Sequence, residues 1–127
     1  MSTPIETVNG LTSALNRGDI EAALGFYEPT ALLVVQPGEL ARGSRELRAA
    51  LGRFVALRPT LRARAQRVVE AGDIALYMGR WTLQGTDPSD QPVSMGGEST
   101  DILRRQPDGR WLIALDNPWG GRILEDG

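Results

Sequence analysis

Apolar residues recur at every third or fourth position in the first part of the chain, which is the spacing of helices that pack on a core. A capping box at Thr3-Pro4-Ile5-Glu6 predicts the start of a first helix, and Gly18 predicts its end. Asp19 predicts the N-cap of a short second helix, which Pro29 ends. The apolar stripes of the two helices comprise Ile5, Val8, Leu11 and Leu15, and then Ile20, Ala23, Leu24 and Tyr27.

The run from Ala31 to Gln36 predicts a strand by its length and its β-branched residues, and Pro37-Gly38 predicts the end of that strand. Ser44 then predicts the N-cap of a third helix, and Pro59 predicts its end. The apolar stripe of this helix comprises Leu47, Leu51 and Phe54.

From Thr60 onward apolar and polar residues alternate, which predicts an antiparallel meander of four strands. The predicted strands are residues 60–70, 74–84, 93–105 and 110–116. Gly96-Gly97 predicts a bulge or bend in the third of them. Helices followed by a curved antiparallel sheet predict an α+β fold, with one domain spanning residues 1–127.

The composition removes several kinds of chemistry. The chain has 14 basic and 16 acidic residues, and every basic residue is arginine because lysine, histidine and cysteine are absent. Such a chain has no imidazole base, thiolate nucleophile, disulfide, thiolate metal site or lysine Schiff base. Carboxylate, tyrosine, serine and threonine side chains are left for acid-base work, and we predict neither a metal nor a cofactor.

Charge and hydrophobicity also constrain the location and the partners. The longest aliphatic run, Ala31 to Val35, is far shorter than the roughly 20 residues of a membrane span. The first residues lack the basic and apolar regions of a secretory signal, so we predict a cytoplasmic protein with no membrane contact. A slightly acidic chain does not favour nucleic acid, and we interpret the cluster of Arg58, Arg62, Arg64 and Arg67 as the polar side of a strand.

Two acids near the end of the chain carry the strongest chemical signal. If Arg105 pairs with Arg110 across the last turn, strict alternation places Asp101 and Asp116 on one face, roughly 7 to 8 Å apart. Two such carboxyls in a poorly solvated place could share a proton, with one pKa raised. The alternative is that each carboxylate pairs with an arginine such as Arg80 or caps local backbone.

Two further pairings, Gln84 with Val93 and Glu70 with Ile74, extend this arrangement to the other strands of the sheet. The face of the two acids would also carry Leu76, Met78, Arg80, Met95, Leu103 and Leu112, whereas Tyr77, Trp81, Trp111 and Ile113 would lie on the opposite face. Both faces are then more apolar than a solvated sheet tolerates, and the helices can cover only one of them. We therefore predict a homodimer that forms through the sheet.

The order of elements resembles the nuclear-transport-factor-2-like superfamily, which includes ketosteroid isomerases and SnoaL-like polyketide cyclases. The resemblance covers nearly the whole chain, and its ending is most similar to ketosteroid-isomerase-like bacterial proteins of unassigned activity. It implies a cystatin-like cone, in which a strongly curved antiparallel sheet wraps over three N-terminal helices, with a pocket on the concave side and a dimer through the convex side. The segments that carry it are residues 18–22 with Tyr27, Gly43-Ser44, residues 101–105, residues 108–111 and residues 114–118.

The resemblance also assigns roles residue by residue. The acid that donates a hydrogen bond to the substrate oxyanion of the isomerases falls on Asp101. Their general base falls on Gln36, which cannot take up a proton, and their oxyanion tyrosine falls on Leu11, so standard ketosteroid isomerisation is not expected. In related epoxide hydrolases an aspartate at a place like Asp116 works with an arginine and a second aspartate, but Arg80 does not reproduce their motif.

Three hypotheses follow. The first is a binder of a small, mostly apolar organic molecule, and the second is a cofactor-free isomerase, cyclase or hydratase with Asp101 and Asp116 as acid and base. The third is a dimerisation or partner-binding module without a pocket. Hydrophobicity alone would turn the Trp111 face toward the helices, whereas the resemblance turns Asp101 inward, and we follow the resemblance. The predicted ligand contacts are Gln36, Tyr27, Met78, Arg80, Met95, Leu112, Ala114 and Trp119.

Overall fold

The computed structural model describes residues 2–125 and has the predicted α+β architecture. Its helices are α1 (Pro4–Asn16), α2 (Ile20–Leu24) and α3 (Gly43–Val55). Its strands are β1 (Tyr27–Gln36), β2 (Glu39–Arg42), β3 (Thr60–Ala71), β4 (Ile74–Thr86), β5 (Pro92–Arg105) and β6 (Trp111–Asp116), and a 3-10 helix follows at Gly120–Leu124. No helix within the described residues is long and apolar enough to cross a membrane.

The first helix begins as the sequence predicts, whereas the third does not. The Thr3 hydroxyl accepts a hydrogen bond from the Glu6 backbone N–H at 3.2 Å, and the Thr3 backbone N–H donates to the Glu6 carboxylate at 3.1 Å. Two of the free amides at the start of α1 are thereby satisfied. The prediction of Ser44 as a cap is wrong, because α3 already begins at Gly43 and its N-cap residue Arg42 makes no side-chain cap.

The second helix is shorter than predicted, and the strand after it is longer. Helix α2 ends at Leu24, and Tyr27 is the first residue of β1 rather than the last apolar position of the helix. The sequence also gave no sign of β2, which pairs with β1 in a hairpin around the Pro37-Gly38 turn. Gly38 has a φ of 88°, a conformation that a tight turn obtains most easily from glycine.

The six strands form one curved sheet with the order β2-β1-β6-β5-β4-β3. The predicted four-strand meander is present, and β1 joins it as a parallel neighbour of β6. Helix α1 packs against β3 and β6, and α3 packs against β1, so that the helices cover one face, here called the inner (concave) face. The other face is called the outer (convex) face.

The pairing of β5 with β6 differs from the predicted register by one residue. Arg105 pairs with Trp111 rather than with Arg110, and Trp111 and Ile113 are therefore buried on the inner face together with Leu103. The prediction that the Trp111 side faces away from the helices is wrong. A single-residue slip is enough to cause this error, because it moves every side chain of a strand to the other face.

A β-bulge in β6 then brings Asp116 to the same inner face. Leu103 pairs with Ile113 and Ile102 with Leu115, so that Ala114 has no partner across the ladder. Under strict alternation Asp116 would point away from the face of Ile113. The additional residue reverses the alternation, and Asp116 lies buried one position beyond the Ile102–Leu115 pair, level with Asp101.

Of the bulge or bend predicted at Gly96-Gly97, the bulge is absent, because the pairing of β4 with β5 is continuous from Ile74–Arg104 to Thr86–Pro92. These glycines instead allow neighbouring backbone segments to approach β5 closely. A Cβ atom at Gly96 would lie 2.8 Å from the Trp81 carbonyl oxygen, and one at Gly97 would lie 3.0 Å from the Pro118 carbonyl oxygen. A side chain at either position would displace backbone.

A second bulge lies in β3, where the pairing with β4 shifts between Arg64 and Arg67. Ala65 occupies the left-handed region there, with a φ of 56°, although it has a Cβ atom. That conformation costs an L-residue about 1–2 kcal/mol.

We expect Ala65→Gly to raise the free energy of unfolding by about 0.5–1 kcal/mol, because the strain relieved exceeds the entropy that glycine adds to the unfolded chain. Denaturant unfolding measures the change. Ala63→Gly, in the same strand with ordinary backbone, is the matched control and should destabilise by about 0.5–1 kcal/mol. Equal losses for the two variants would contradict the strained conformation at Ala65.

Candidate functional site

Asp101 of β5 and Asp116 of β6 are buried next to each other on the inner face of the sheet. Only 4% of Asp101 and 8% of Asp116 is exposed, although aspartate is almost never this buried without a partner. The two carboxyl groups lie within hydrogen-bonding range of each other. The predicted pairing of these acids is therefore present in the structure, at closer range than the diagonal arrangement expected from the sequence.

Uncharged donors surround the two acids. The Tyr27 hydroxyl donates to Asp116 Oδ2 at 2.6 Å, and the Asn117 backbone N–H donates to Asp101 Oδ1 at 2.8 Å. None of the arginines among residues 2–125 forms an ion pair with either acid. Structural neutralisation by an arginine is thus not what holds these carboxyls. The other part of the alternative, a carboxylate that caps backbone, applies to Asp101, which accepts from the Asn117 N–H.

The surroundings keep a proton on Asp101. Burial raises the pKa of Asp101 well above the usual carboxyl range, and the negative charge of Asp116 raises it further. Burial also raises the pKa of Asp116, but the hydrogen bonds that Asp116 receives from Tyr27 and Asp101 oppose this rise. At neutral pH the arrangement therefore favours a protonated Asp101 that donates to an ionised Asp116.

A cavity of about 340 Å³ lies between the helices and the inner face of the sheet, and both acids line it. Its walls are mostly aliphatic and aromatic, with contributions from α1, α3 and strands β1, β3, β4 and β5. This volume is in the range of cavities that enclose small organic molecules. The third hypothesis, a module without a pocket, predicted a filled concave side, and this cavity does not support that prediction.

Seven of the predicted site residues line the cavity, namely Tyr27, Gln36, Arg80, Met95, Asp101, Asp116 and Trp119. Gln36 lies at the exposed end of β1, and its side-chain amide donates to Glu39 at 3.1 Å. Trp119 donates its indole N–H to the Val35 carbonyl oxygen at 3.0 Å and packs edge to face on Trp81. This aromatic pair forms one wall of the cavity.

The other predicted contacts lie elsewhere. Met78 is 48% exposed on the outer face, because β4 turns Tyr77 rather than Met78 inward. Leu112 lines a smaller depression near α1, and Ala114 is the bulge residue, so neither borders the main cavity. Arg80 borders the cavity, but its guanidinium donates to Glu98 at 3.1 Å among exposed side chains, and it is not an anion clamp.

Sequence reasoning missed Tyr77, because it paired Gln84 with Val93, whereas Gln84 pairs with Ser94, and this separate slip between β4 and β5 placed Tyr77 on the wrong face. Tyr77 pairs directly with Asp101 across the ladder, is 2% exposed and lines the cavity. Its hydroxyl lies over Gly79, where a Cβ atom would collide with it. The spacing Tyr77-Met78-Gly79 is the signal that could have indicated a tyrosine lying along the strand over a glycine on the same face.

The site can hold or transfer a proton without help from a bound ion. A neutral carboxyl beside an ionised one, at the wall of an apolar cavity, can donate a hydrogen bond or a proton to a polar atom of an enclosed molecule. Within residues 2–125, no three acidic side chains come together in a way that could hold a metal ion.

These features define a class of protein: a conical α+β domain whose sheet carries buried acids at the wall of an apolar cavity. The chain matches the SnoaL-like domain family over residues 8–113, and it belongs to that family. A comparison with curated proteins finds no match.

Solved structures with low sequence identity share the fold. A nuclear transport factor 2-like superfamily protein from Salmonella enterica serovar Typhimurium is 16% identical, with a TM-score of 0.79 over 96% of this chain and 93% of that one. A candidate ketosteroid isomerase from Shewanella frigidimarina is 20% identical, with a TM-score of 0.72 over 87% and 89%. A candidate scytalone dehydratase from Novosphingobium aromaticivorans is 10% identical, with a TM-score of 0.79 over 88% and 77%.

Proposed function

We propose that this protein binds a small, mostly apolar organic molecule in the cavity and that Asp101 turns its proton, which is directed to Asp116 before binding, toward a polar atom of that molecule. The observation that carries the proposal is the pair of carboxyls buried at the cavity wall with no arginine partner among the described residues. Burial of such a pair costs stability, so a domain that needs only to fold gains nothing from it.

Acid-base catalysis is the second candidate, and the observation that favours it is the burial of two neighbouring carboxyls, which can share a proton, at the cavity wall. Asp101 would act as the acid and Asp116 as the base of a cofactor-free isomerase, cyclase or hydratase, with a bell-shaped pH profile. The Gln36 position gives no support to the isomerase mechanism, because an amide at the end of β1 cannot accept a proton.

The binding proposal can be tested with two probes of equal shape. 2-Acetylnaphthalene carries a carbonyl oxygen, and 2-isopropenylnaphthalene carries a CH₂ group in its place. Quenching of tryptophan fluorescence reports binding, because Trp81 and Trp119 line the cavity. We expect the wild type to prefer the ketone by about 2- to 10-fold, the ratio that corresponds to one net hydrogen bond.

Two variants separate binding from catalysis. Asp101→Leu should lower the preference for the ketone, whereas Asp101→Asn keeps an N–H donor and should retain it. On any substrate that the protein converts, Asp101→Asn should abolish turnover while binding persists, because an amide does not transfer a proton. Failure of the wild type to distinguish the two probes would overturn the proposal.

We further propose that the convex face joins two copies of the chain. Four large apolar residues are exposed there on β3 and β4, namely Val69, Ile74, Leu76 and Met78. Exposed apolar residues that are contiguous in this way often mark an interface. The helices cover the other face, and a second copy would bury this patch.

We expect Leu76→Asp to convert a dimer into a monomer, because it places a charge in the centre of the patch. Sedimentation equilibrium over a range of protein concentrations measures the mass. Leu124→Asp, the same change at a residue that is 85% exposed outside the patch, should leave the dimer intact. A wild-type protein that sediments as a monomer, or equal behaviour of the two variants, would contradict the proposed interface.

A further inference from the structure

A short chain of hydrogen bonds connects α1 to the cavity through Gln66. The Gln66 side-chain amide donates one hydrogen to Asn9 Oδ1 at 2.8 Å and the other to the Tyr77 hydroxyl oxygen at 2.9 Å. Both hydrogens of the amide are thereby used, which fixes the orientation of the group. Gln66 is held between a helix and the strand that carries Tyr77.

The bulge in β3 gives Gln66 this position. Leu61 and Ala63 pair with Leu83 and Trp81, which are buried on the inner face. Continued alternation would turn Ala65 inward and Gln66 toward solvent. The additional residue at the bulge reverses the alternation, so that Gln66 is half-buried and reaches Tyr77. This arrangement requires a left-handed backbone conformation at Ala65, which is not a glycine.

The hydroxyl of Tyr77 retains a free proton. Tyr77 accepts from Gln66, and its own O–H meets no acceptor among residues 2–125. The residue is nonetheless 2% exposed and lines the cavity beside its cross-strand partner Asp101. Gly79 leaves the space in which the phenol lies. A buried O–H group without an acceptor costs free energy unless a ligand supplies one.

We propose that Tyr77 is a second hydrogen-bond donor to the ligand and that Gln66 is a positioning residue that directs the Tyr77 proton into the cavity. The two donors, Tyr77 and Asp101, would meet an oxygen that has two lone pairs, so the ligand class is a molecule with a carbonyl or similar acceptor oxygen. This inference rests on the proposed function of the cavity. It adds a residue on β4 for which neither sequence pattern nor resemblance gave a role.

Three variants test the two roles with the same ketone and hydrocarbon probes. Tyr77→Phe removes the donor and should weaken ketone binding by about 2- to 10-fold without changing hydrocarbon binding. Gln66→Glu keeps the shape but replaces the donor by an acceptor that captures the Tyr77 proton, so it should reproduce the loss seen in Tyr77→Phe. Gln66→Leu removes the bond that orients the Tyr77 hydroxyl but adds no acceptor for its proton, so it should weaken ketone binding less than Tyr77→Phe does.

Two spectroscopic measurements distinguish a hydrogen-bonding role of Tyr77 and Gln66 from a role in packing alone. The infrared carbonyl band of bound 2-acetylnaphthalene should lie at lower frequency in the wild type than in Tyr77→Phe or Gln66→Glu. In a Tyr27→Phe background Tyr77 is the single tyrosine, and its pKa can be followed by ultraviolet absorbance. Burial raises the pKa of Tyr77 and the hydrogen bond from Gln66 lowers it, so Gln66→Leu should raise it further.

The outcomes distinguish this inference from the proposed function. If the wild type prefers the ketone and Asp101→Leu lowers that preference, but Tyr77→Phe and Gln66→Glu keep it, the cavity binds as proposed and the roles of Tyr77 and Gln66 are wrong. If the wild type shows no preference, the proposed function fails and the inference fails with it. Unchanged binding of the hydrocarbon shows that a variant is folded.

Discussion

Asp101→Asn is expected to raise the free energy of unfolding above about pH 4 and to leave it nearly unchanged below that pH. The effect should grow by up to about 1.4 kcal/mol for each pH unit, until the pH reaches the pKa of Asp101 in the folded protein. A substitution that removes a buried carboxyl from the candidate site is thus expected to stabilise the protein.

The sign follows from the proton balance of Asp101. In the unfolded chain the carboxyl ionises with a pKa of about 3.9, whereas burial and the charge of Asp116 raise its pKa in the folded protein. Between the two values the folded protein binds a proton that the unfolded chain has released, so the stability of the wild type falls as pH rises. Asparagine does not titrate, and its side chain can still accept from the Asn117 N–H and donate to Asp116.

Denaturant unfolding between about pH 4 and about pH 8 measures this difference. Asp73→Asn is the control, because Asp73 is an exposed acid paired with Arg105 and should not reproduce the pH-dependent gain. Parallel pH profiles for the wild type and Asp101→Asn, or a less stable variant at neutral pH, would mean that Asp101 is ionised in the folded protein. The proton-sharing pair would then be wrong.

Local signals in the sequence were sufficient for most of the fold, whereas the two acids were placed on one face through a register that was wrong by one residue, an error that the bulge at Ala114 compensates. The capping box at residues 3–6, Asp19 as a helix cap and the turns of the meander depend on neighbouring residues only, and the structure confirms them. The pairing of Asp101 with Asp116 was predicted from turn length and from the resemblance. Strand β2 was not predicted, because its four residues are too few to show an alternation of apolar and polar positions.

The remaining errors in the assignment of faces come from one-residue slips in strand register and from bulges. Period-two reasoning assigns residues to faces only while the alternation is unbroken, and the additional residues near Ala65 and at Ala114 break it. Neither residue is a glycine, so composition does not mark these positions. Hydrophobicity turned Trp111 toward the helices and the resemblance turned Asp101 toward them, and under the predicted register these two predictions exclude each other. In the structure they do not, because the true register and the bulge in β6 place Trp111 and Asp116 on the same side.

Tyr27→Phe is expected to lower the free energy of unfolding by about 1.5–3 kcal/mol at neutral pH, the range for a hydrogen bond to a charged group. The Tyr27 hydroxyl donates to Asp116 at 2.6 Å, and both groups are buried, so the loss of this donor leaves a buried carboxylate with one hydrogen bond fewer. The bond favours the charged form and opposes the rise in the pKa of Asp116. Its contribution is therefore present where Asp116 is ionised and decreases as pH falls and Asp116 is protonated.

Tyr77→Phe is the matched control for this prediction, since it deletes the other phenolic hydroxyl of the chain. The Tyr77 hydroxyl accepts from the neutral Gln66 amide and makes no bond to a carboxylate, so its loss should cost about 1 kcal/mol and vary little between pH 5 and pH 8. Unfolding curves for the two variants across this range separate the cases. Equal losses of about 1 kcal/mol for the two variants would show that Asp116 carries no charge at neutral pH. In that state the pair would hold two protons, and Asp116 could serve as a second donor but not as a base.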